Sequence, residues 1–343
     1  MKKIKKSVKI ITAVVLVIVL LLASGVIFYL SKLNLIKFSD GKFGWNGSID
    51  TNDSETIDEQ SRMNDAIADL EEKDAIDATG KIYKNKRILN ILLIGTDEYT
   101  EEFSENARGD SCMIMSVGKK DGSLKLASLE RGMGMPILDG KYKGQYDWLT
   151  HTFRYGGADL MMREVRECFK VDVERYIRVN FATFKKGIEA VGGIDITLTA
   201  AEAGYVNAGT GLTKYTAGVN HLDGEAALVY ARCRHIDSDW HRIERQRNVI
   251  QAVVTKTKEL DIAELNGLLN NVLPLVQTNL TRLEITELLL LAPKYRGAEI
   301  KQMTVPVSGS YGGMRGLGGR SLFSVDFETN SRALREFIYG IKD

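Results

Sequence analysis

Five arginines fall between residues 232 and 247, in the stretch RCRHIDSDWHRIERQR. Arg232 and Arg234 are separated by one residue, so an extended backbone projects both to the same side. Asp239 suits a helix N-cap. A helix starting there places Arg242, Arg245 and Gln246 on one face, with Ile243, Ile250, Val253 and Val254 as its buried stripe. Arginines beside a helix N-terminus suit a doubly charged anion such as a pyrophosphate. The competing reading is a solvated basic face paired with Glu225 and Glu244.

Such a site needs elements to hold it, and the preceding sequence supplies them. Residues 88–95 form an apolar run closed by glycine, which reads as a buried strand. Asp97 follows at once, where open α/β sheets place ligands. Residues 111–117 and 124–129 read as two more strands joined by a Lys-Lys-Asp-Gly-Ser turn. Arg108 and Asp110 precede the first of these, and Arg131 follows the second. A helix is expected to open at Gly156-Gly157. A strand over 176–181, a helix from Phe184 to Val191 and a strand over 194–198 follow. Residues 200–216 read as a glycine-rich loop, and 222–231 as a short helix capped by Asp223. Further helices are expected to about Leu260, over 265–276 and over 285–292. A strand over 300–305 precedes a closing strand and helix. The alternation predicts a three-layer αβα domain with a mixed central sheet.

The chain has 343 residues and a formal net charge of +1, which is a cancellation. Residues 48–78 carry eleven acidic and two basic side chains, so the remainder has a basic excess that fits an anionic substrate without demanding nucleic acid. There is no zinc-finger spacing, RNP motif or heptad run. Cys112, Cys168 and Cys233 read as small buried side chains rather than a disulfide framework. The exception to weigh is Cys233, a reactive-thiol candidate between two arginines.

Five lysines between residues 2 and 9 precede an uncharged apolar run over 10–31. That length crosses a bilayer core of about 30 Å as a helix, and the lysines place the N-terminus in the cytoplasm. A cleaved signal peptide would have a shorter apolar region. The expected organisation is a cytoplasmic tail over 1–9, a single-pass anchor over 10–31, an acidic polar spacer over 32–87 with one short helix near Met63, Ile67 and Leu70, and an extracytoplasmic domain over 88–343.

The polar residues also form an ordered pattern: Gly95-Thr-Asp97, Arg108-Gly-Asp110, Ser128-Leu-Glu-Arg131, Tyr155-Gly-Gly157, Val191-Gly-Gly-Ile-Asp195, His221-Leu-Asp-Gly-Glu225, Tyr230-Ala-Arg-Cys-Arg-His235 and Asp239-Trp-His-Arg-Ile-Glu-Arg-Gln246. In order and spacing this resembles the LytR-CpsA-Psr family of cell-wall phosphotransferases, closely over 88–260 and loosely beyond. The resemblance implies transfer of a glycopolymer, whether teichoic acid, capsule or another glycan, from a polyprenyl-pyrophosphate carrier to a peptidoglycan sugar hydroxyl. It implies Mg2+ (with Mn2+ as the alternative) on Asp97 and Asp110. It places Arg108, Arg131, Arg232, Arg234, Arg242 and Gln246 on the pyrophosphate, with Asp110, Arg131, Arg232 and Arg234 as the catalytic set. The lipid tail would lie among apolar elements of the same domain. Two carboxylates without clustered histidines suit such a hard cation better than zinc, and breaking a phosphoanhydride calls mainly for charge neutralisation and positioning.

Two segments depart from that pattern. The family usually has proline-arginine-aspartate where this chain has Glu130-Arg131-Gly132, and lysine-isoleucine-asparagine where it has Trp148-Leu149-Thr150. The general base is open, with His235 as one candidate. Two other functions compete: a pyrophosphatase on the same lipid, with water as acceptor, and a non-enzymatic module that holds polyprenyl phosphates. A DNA-binding regulator is disfavoured by the anchor topology.

Overall fold

The computed structural model describes residues 31–43, 54–105, 107–295 and 298–341. The expected anchor over 10–31 lies outside them apart from Ser31. Among the described residues no helix is long and apolar enough to cross a membrane.

Among the described residues, seven strands form the central sheet. They are β1 (Lys37–Phe38), β2 (Ile88–Thr96), β3 (Gly109–Gly118), β4 (Leu124–Leu129), β7 (Arg175–Asn180), β10 (Gln277–Thr278) and β11 (Ile300–Val305), in the order β1-β10-β7-β2-β3-β4-β11. The sheet is mixed. β2 pairs parallel with β7 and antiparallel with β3, while β4 pairs antiparallel with β3 and parallel with β11. The inner strands are apolar on both faces because helices cover both. On one face, Leu92, Ile94, Ile114 and Leu129 meet Phe153, Met161 and Phe169 of α2 (Leu149–Phe169) and Phe327 and Leu334 of α9 (Phe327–Tyr339). On the other, Met113 and Leu126 pack with Ile250 and Val254 of α6 (Asp239–Glu259), and Ile91 and Val117 with Ile285 of α8 (Arg282–Tyr295). The expected three layers are present.

A second apolar cluster lies at one end of the sheet. It joins α3 (Phe181–Ala190), α4 (Ala200–Thr210), α5 (Gly224–Arg232) and α7 (Ile262–Val272) to the hairpin of β8 (Ile194–Leu198) and β9 (Gly218–Leu222). Two smaller hairpins, β5 (Gly134–Pro136) with β6 (Tyr146–Trp148) and β12 (Tyr311–Arg315) with β13 (Ser321–Val325), complete the strands.

Three local expectations are corrected. α2 opens at Leu149 rather than at the glycines; Gly156 and Gly157 instead break it, Gly157 with φ 69°. A Cβ there would lie 2.3 Å from the Gly41 carbonyl oxygen, so the chain passes close only because glycine is present. The segment read as a loop over 200–216 is helical through Thr210. It is started by a capping box in which Thr199 accepts from the Glu202 N–H and Glu202 accepts from the Thr199 N–H. The short helix expected near Met63, Ile67 and Leu70 is present as α1 (Ser54–Ile67), but it packs on the domain rather than lying in a free spacer: Met63 is buried with Trp148, Leu322 and Phe323. Beyond α1, Glu72, Ile76 and Tyr83 bridge to Gly313, Asp326 and Val171, which ties that stretch to the domain.

Candidate functional site

Register places the first carboxylates. Gly95 pairs with Ser111 but Thr96 pairs with Gly109, so Asp110 is the extra residue of a bulge and has no partner across the ladder. A bulge bends the strand and re-aims the side chain it carries. Asp110 Oδ1 accepts from Arg131 Nη1 at 3.1 Å and from Thr150 Oγ1 at 3.2 Å. Asp97, just past β2, accepts from the Arg108 backbone N–H at 2.9 Å and from Arg108 Nε at 3.0 Å. Burial, and then the charge of Asp110, push the Asp97 carboxyl up to about 6.

Four guanidinium groups gather beyond these strand ends. Arg108, Arg131 and Arg242 are each 4 % exposed. Arg131 Nε donates to Asp239 Oδ2 at 3.2 Å, and Arg242 Nη2 lies 3.7 Å from the same oxygen. Arg234 Nη1 lies 3.5 Å from Glu59 Oε1 on α1, which also contacts Arg131. Burial, and then Arg242 and Arg234 beside it, lower Arg131 to about 9. Burial raises the Asp239 carboxyl, but Arg242 and Arg131 outweigh it and hold the group far below its ordinary value. Arg232 ends α5. Its guanidinium stacks 4.4 Å from the Phe181 ring centre and donates to the Tyr99 hydroxyl at 2.7 Å. Gln246 accepts from Ser111 Oγ at 3.0 Å.

One cavity of about 1010 Å³ gathers these groups. Its polar end is lined by Arg108, Asp110, Arg131, Arg232, Arg234 and Arg242, with Gln246 beside them. Its other walls are mostly apolar, from Met113, Ile177, Phe184, Leu228, Val249 and Ile250, with Asn180, Tyr205 and Glu225 among them. Asp97 stands behind Arg108 and does not line it. A second space of about 390 Å³ opens on the other side of Glu59, Arg131 and Arg234, toward Trp148 and Trp240.

The arginine stretch itself differs from expectation in three ways. The N-cap of α6 is Ser238, with no side-chain cap bond, and Asp239 is already helical because Arg131 and Arg242 claim its carboxylate. Arg245 leaves the face shared by Arg242 and Gln246: Glu202 at 2.7 Å and the Cys233 carbonyl at 2.9 Å draw it into the interior. Cys233 is the small buried side chain expected, and burial pushes its thiol up to about 11. Glu225, offered as a partner for a solvated arginine face, pairs with Lys185 instead. His235 is exposed against Arg62, whose Nη2 lies 2.5 Å from the ring's Nδ1 and 3.3 Å from its Nε2. Sequence reasoning missed Glu59, Thr150, Ser111 and Asp239 as site residues. Thr150 lay in a segment that departs from the family pattern and Asp239 was read as a helix cap, while the acidic run around Glu59 suggested solvent.

Among the described residues no group of three or more histidine, cysteine or acidic side chains is arranged to hold a metal. Asp97 and Asp110 are nonetheless close enough for one charge to raise the other carboxyl. A pair of carboxylates beside an arginine cluster fits Mg2+, which commonly takes one or two carboxylates and completes its shell with phosphates and water.

The chain matches the LytR_cpsA_psr family over residues 51–333. A polyisoprenyl-teichoic acid–peptidoglycan teichoic acid transferase, TagU, of Enterococcus faecalis is 33 % identical over 227 residues, 64 % of this chain and 70 % of that protein. The TagU of Bacillus mycoides is 32 % identical over 60 % of this chain, and the chain spans 64 % of its length. The solved structure of the LytR-CPS2A-psr family protein YwtF (TagT) with bound octaprenyl pyrophosphate lipid is 21 % identical. It superposes with a TM-score of 0.55 over 78 % of this chain and 97 % of that one, and so shares the fold. With the family matched along most of its length, this chain belongs to the LytR-CpsA-Psr family.

Proposed function

We propose that this protein is a phosphotransferase that moves a glycopolymer from a polyprenyl-pyrophosphate carrier to a hydroxyl of a peptidoglycan sugar. The observation that carries the reading is one cavity whose polar end gathers buried and half-buried arginines and whose remaining walls are mostly apolar. A pyrophosphate on an isoprenoid chain has that same division. The relatives' names, which specify teichoic acid transfer to peptidoglycan, support the reaction class.

In this account Arg131, Arg232, Arg234 and Arg242 bind the phosphate oxygens and stabilise charge on the leaving lipid phosphate. Buried guanidinium groups already anchored by Asp110, Asp239 and Glu59 lose little freedom on doing so. Ser111 orients Gln246, and Arg108 is held by Asp97. Asp97 and Asp110 are the proposed ligands of Mg2+, which when bound would neutralise phosphate charge. Phe181 gives Arg232 an apolar support beside the lipid path. The proposed setting is extracytoplasmic, with residues 10–31 as a single-pass anchor and the lysines before them in the cytoplasm.

Lipid copurified with the full chain from membranes tests the reading. Mass spectrometry should show a polyprenyl phosphate or pyrophosphate. Recovery of ordinary phospholipid alone would overturn it.

A further inference from the structure

Among the described residues, α1 brings two carboxylates to the arginine cluster from outside the α/β layers: Glu59, and the more exposed Asp58, 3.6 Å from Arg234. Glu59 is 5 % exposed. Its Oε1 contacts Arg131 and lies 3.5 Å from Arg234, and its Oε2 lies 4.0 Å from Arg108 Nη1. That Oε2 is buried with no hydrogen-bond partner among the described residues. The docking of α1 is built into the neighbouring sequence. Gly132 lies against that helix: a Cβ there would lie 2.1 Å from the flexible Met63 methyl carbon. Arg62 adds a hydrogen bond to the Arg234 carbonyl at 3.3 Å.

With Glu59 in place four arginines at the centre of this cluster are matched by four carboxylates; the more exposed Arg232, and Asp58 with its partner Arg62, stand at the rim outside that count. Arg108, Arg131, Arg234 and Arg242 face Asp97, Asp110, Asp239 and Glu59. A bare diphosphate would bring about two to three further negative charges into a buried, already neutral group, and an uncompensated buried charge is strongly unfavourable. A divalent cation arriving with it removes most of that excess.

We propose that Glu59 makes the site selective for a metal-bound diphosphate: its charge neutralises the arginines from within the chain, so the diphosphate is accepted together with a divalent cation rather than alone. Glu59 acts here as a specificity-determining residue for the lipid substrate, and the inference rests on the lipid-diphosphate reading above.

The test is the affinity of farnesyl diphosphate for the full chain, measured with Mg2+ and with EDTA, in wild type, Glu59→Gln and Glu59→Ala. Wild type should bind well with Mg2+ and poorly in EDTA. Both variants should bind in EDTA about tenfold or more tighter than wild type, since one unit charge at a few ångströms is removed, and their Mg2+ dependence should shrink accordingly. Glutamine keeps the size of the side chain, and thermal melting checks that each variant is folded. Weaker binding by folded variants in both conditions would show Glu59 to be a support for Arg131 and overturn the proposal. An unchanged Mg2+ dependence would overturn it as well. Absence of binding by every form with and without Mg2+ would instead remove the lipid-diphosphate reading on which it stands.

Discussion

Arg131 Nε lies 3.2 Å from Asp239 Oδ2, and this contact joins the end of the sheet strand β4 to the first turn of α6. It explains why an aspartate at the start of that helix does not act as its cap. The same carboxylate approaches Arg242 at 3.7 Å, so one oxygen sets the spacing of two guanidinium groups on different elements.

Replacing Asp239 with asparagine should therefore lower stability by about 1.5–3 kcal/mol, the range for a hydrogen bond to a charged group. Urea unfolding checks the effect. A variant as stable as wild type would show that the contact contributes nothing.

Arg232 and Arg234 are expected to differ in how they tolerate lysine. Arg232 stacks on Phe181 and donates to Tyr99, a combination that needs a planar, delocalised cation. Arg234 reaches Asp58 and Glu59 at 3.6 and 3.5 Å, which a compact ammonium group can partly replace. Alanine at either position should weaken polyprenyl-diphosphate binding about tenfold or more. Lysine should restore part of the affinity at Arg234 and little at Arg232. Equal affinities for wild type, both alanine variants and both lysine variants would remove these residues from the site.

Away from the cavity, Glu164 is fully buried in α2. Its Oε1 accepts a hydrogen bond from Leu138 N–H at 3.4 Å, and its Oε2 lacks a partner among the described residues. Burial pushes its carboxyl from 4.5 up to about 8. The folded state keeps a proton that the unfolded chain releases above 4.5, so this group's contribution is least unfavourable below that pH. It then costs stability at up to about 1.4 kcal/mol per pH unit until about pH 8. Glu164→Gln should remove that slope and melt at a higher temperature than wild type at pH 8. Melting curves from pH 5 to 8 that fall in parallel for the two proteins would contradict the assignment.

How far the sequence revealed the site depended on how local its signals were. β2, β3 and β4 were legible because apolar runs ending in glycine or a turn are local. α5 was legible because Asp223 caps it, accepting from the Ala226 N–H at 2.9 Å. The Thr199-to-Glu202 capping box was equally local, but Gly204, Gly209 and Gly211 masked it; Gly211 in fact ends the helix in the left-handed region. The arginine positions carried the polar end of the cavity, since Arg232, Arg234, Arg242 and Gln246 all line it. The fate of Arg245 was not legible, because its partner Glu202 lies 43 residues away on a helix that the sequence reading had taken for a loop. Glu59 was hidden for the opposite reason. A carboxylate in an acidic run reads as solvated until a distant set of arginines is known to surround it.

The central claim is transfer from a lipid diphosphate to a sugar hydroxyl, and reconstitution tests it most directly. The full chain in detergent would be mixed with Mg2+, a short polyprenyl-diphosphate-linked saccharide and uncrosslinked peptidoglycan strands, and the products analysed by mass spectrometry. The account predicts saccharide joined to the glycan strand through a phosphodiester, with polyprenyl monophosphate released in equal amount and both products lost in Arg131→Ala. Release of free saccharide phosphate with no change in the glycan strand would make water the acceptor. Intact lipid carrier after prolonged incubation with folded protein would contradict the enzymatic account altogether.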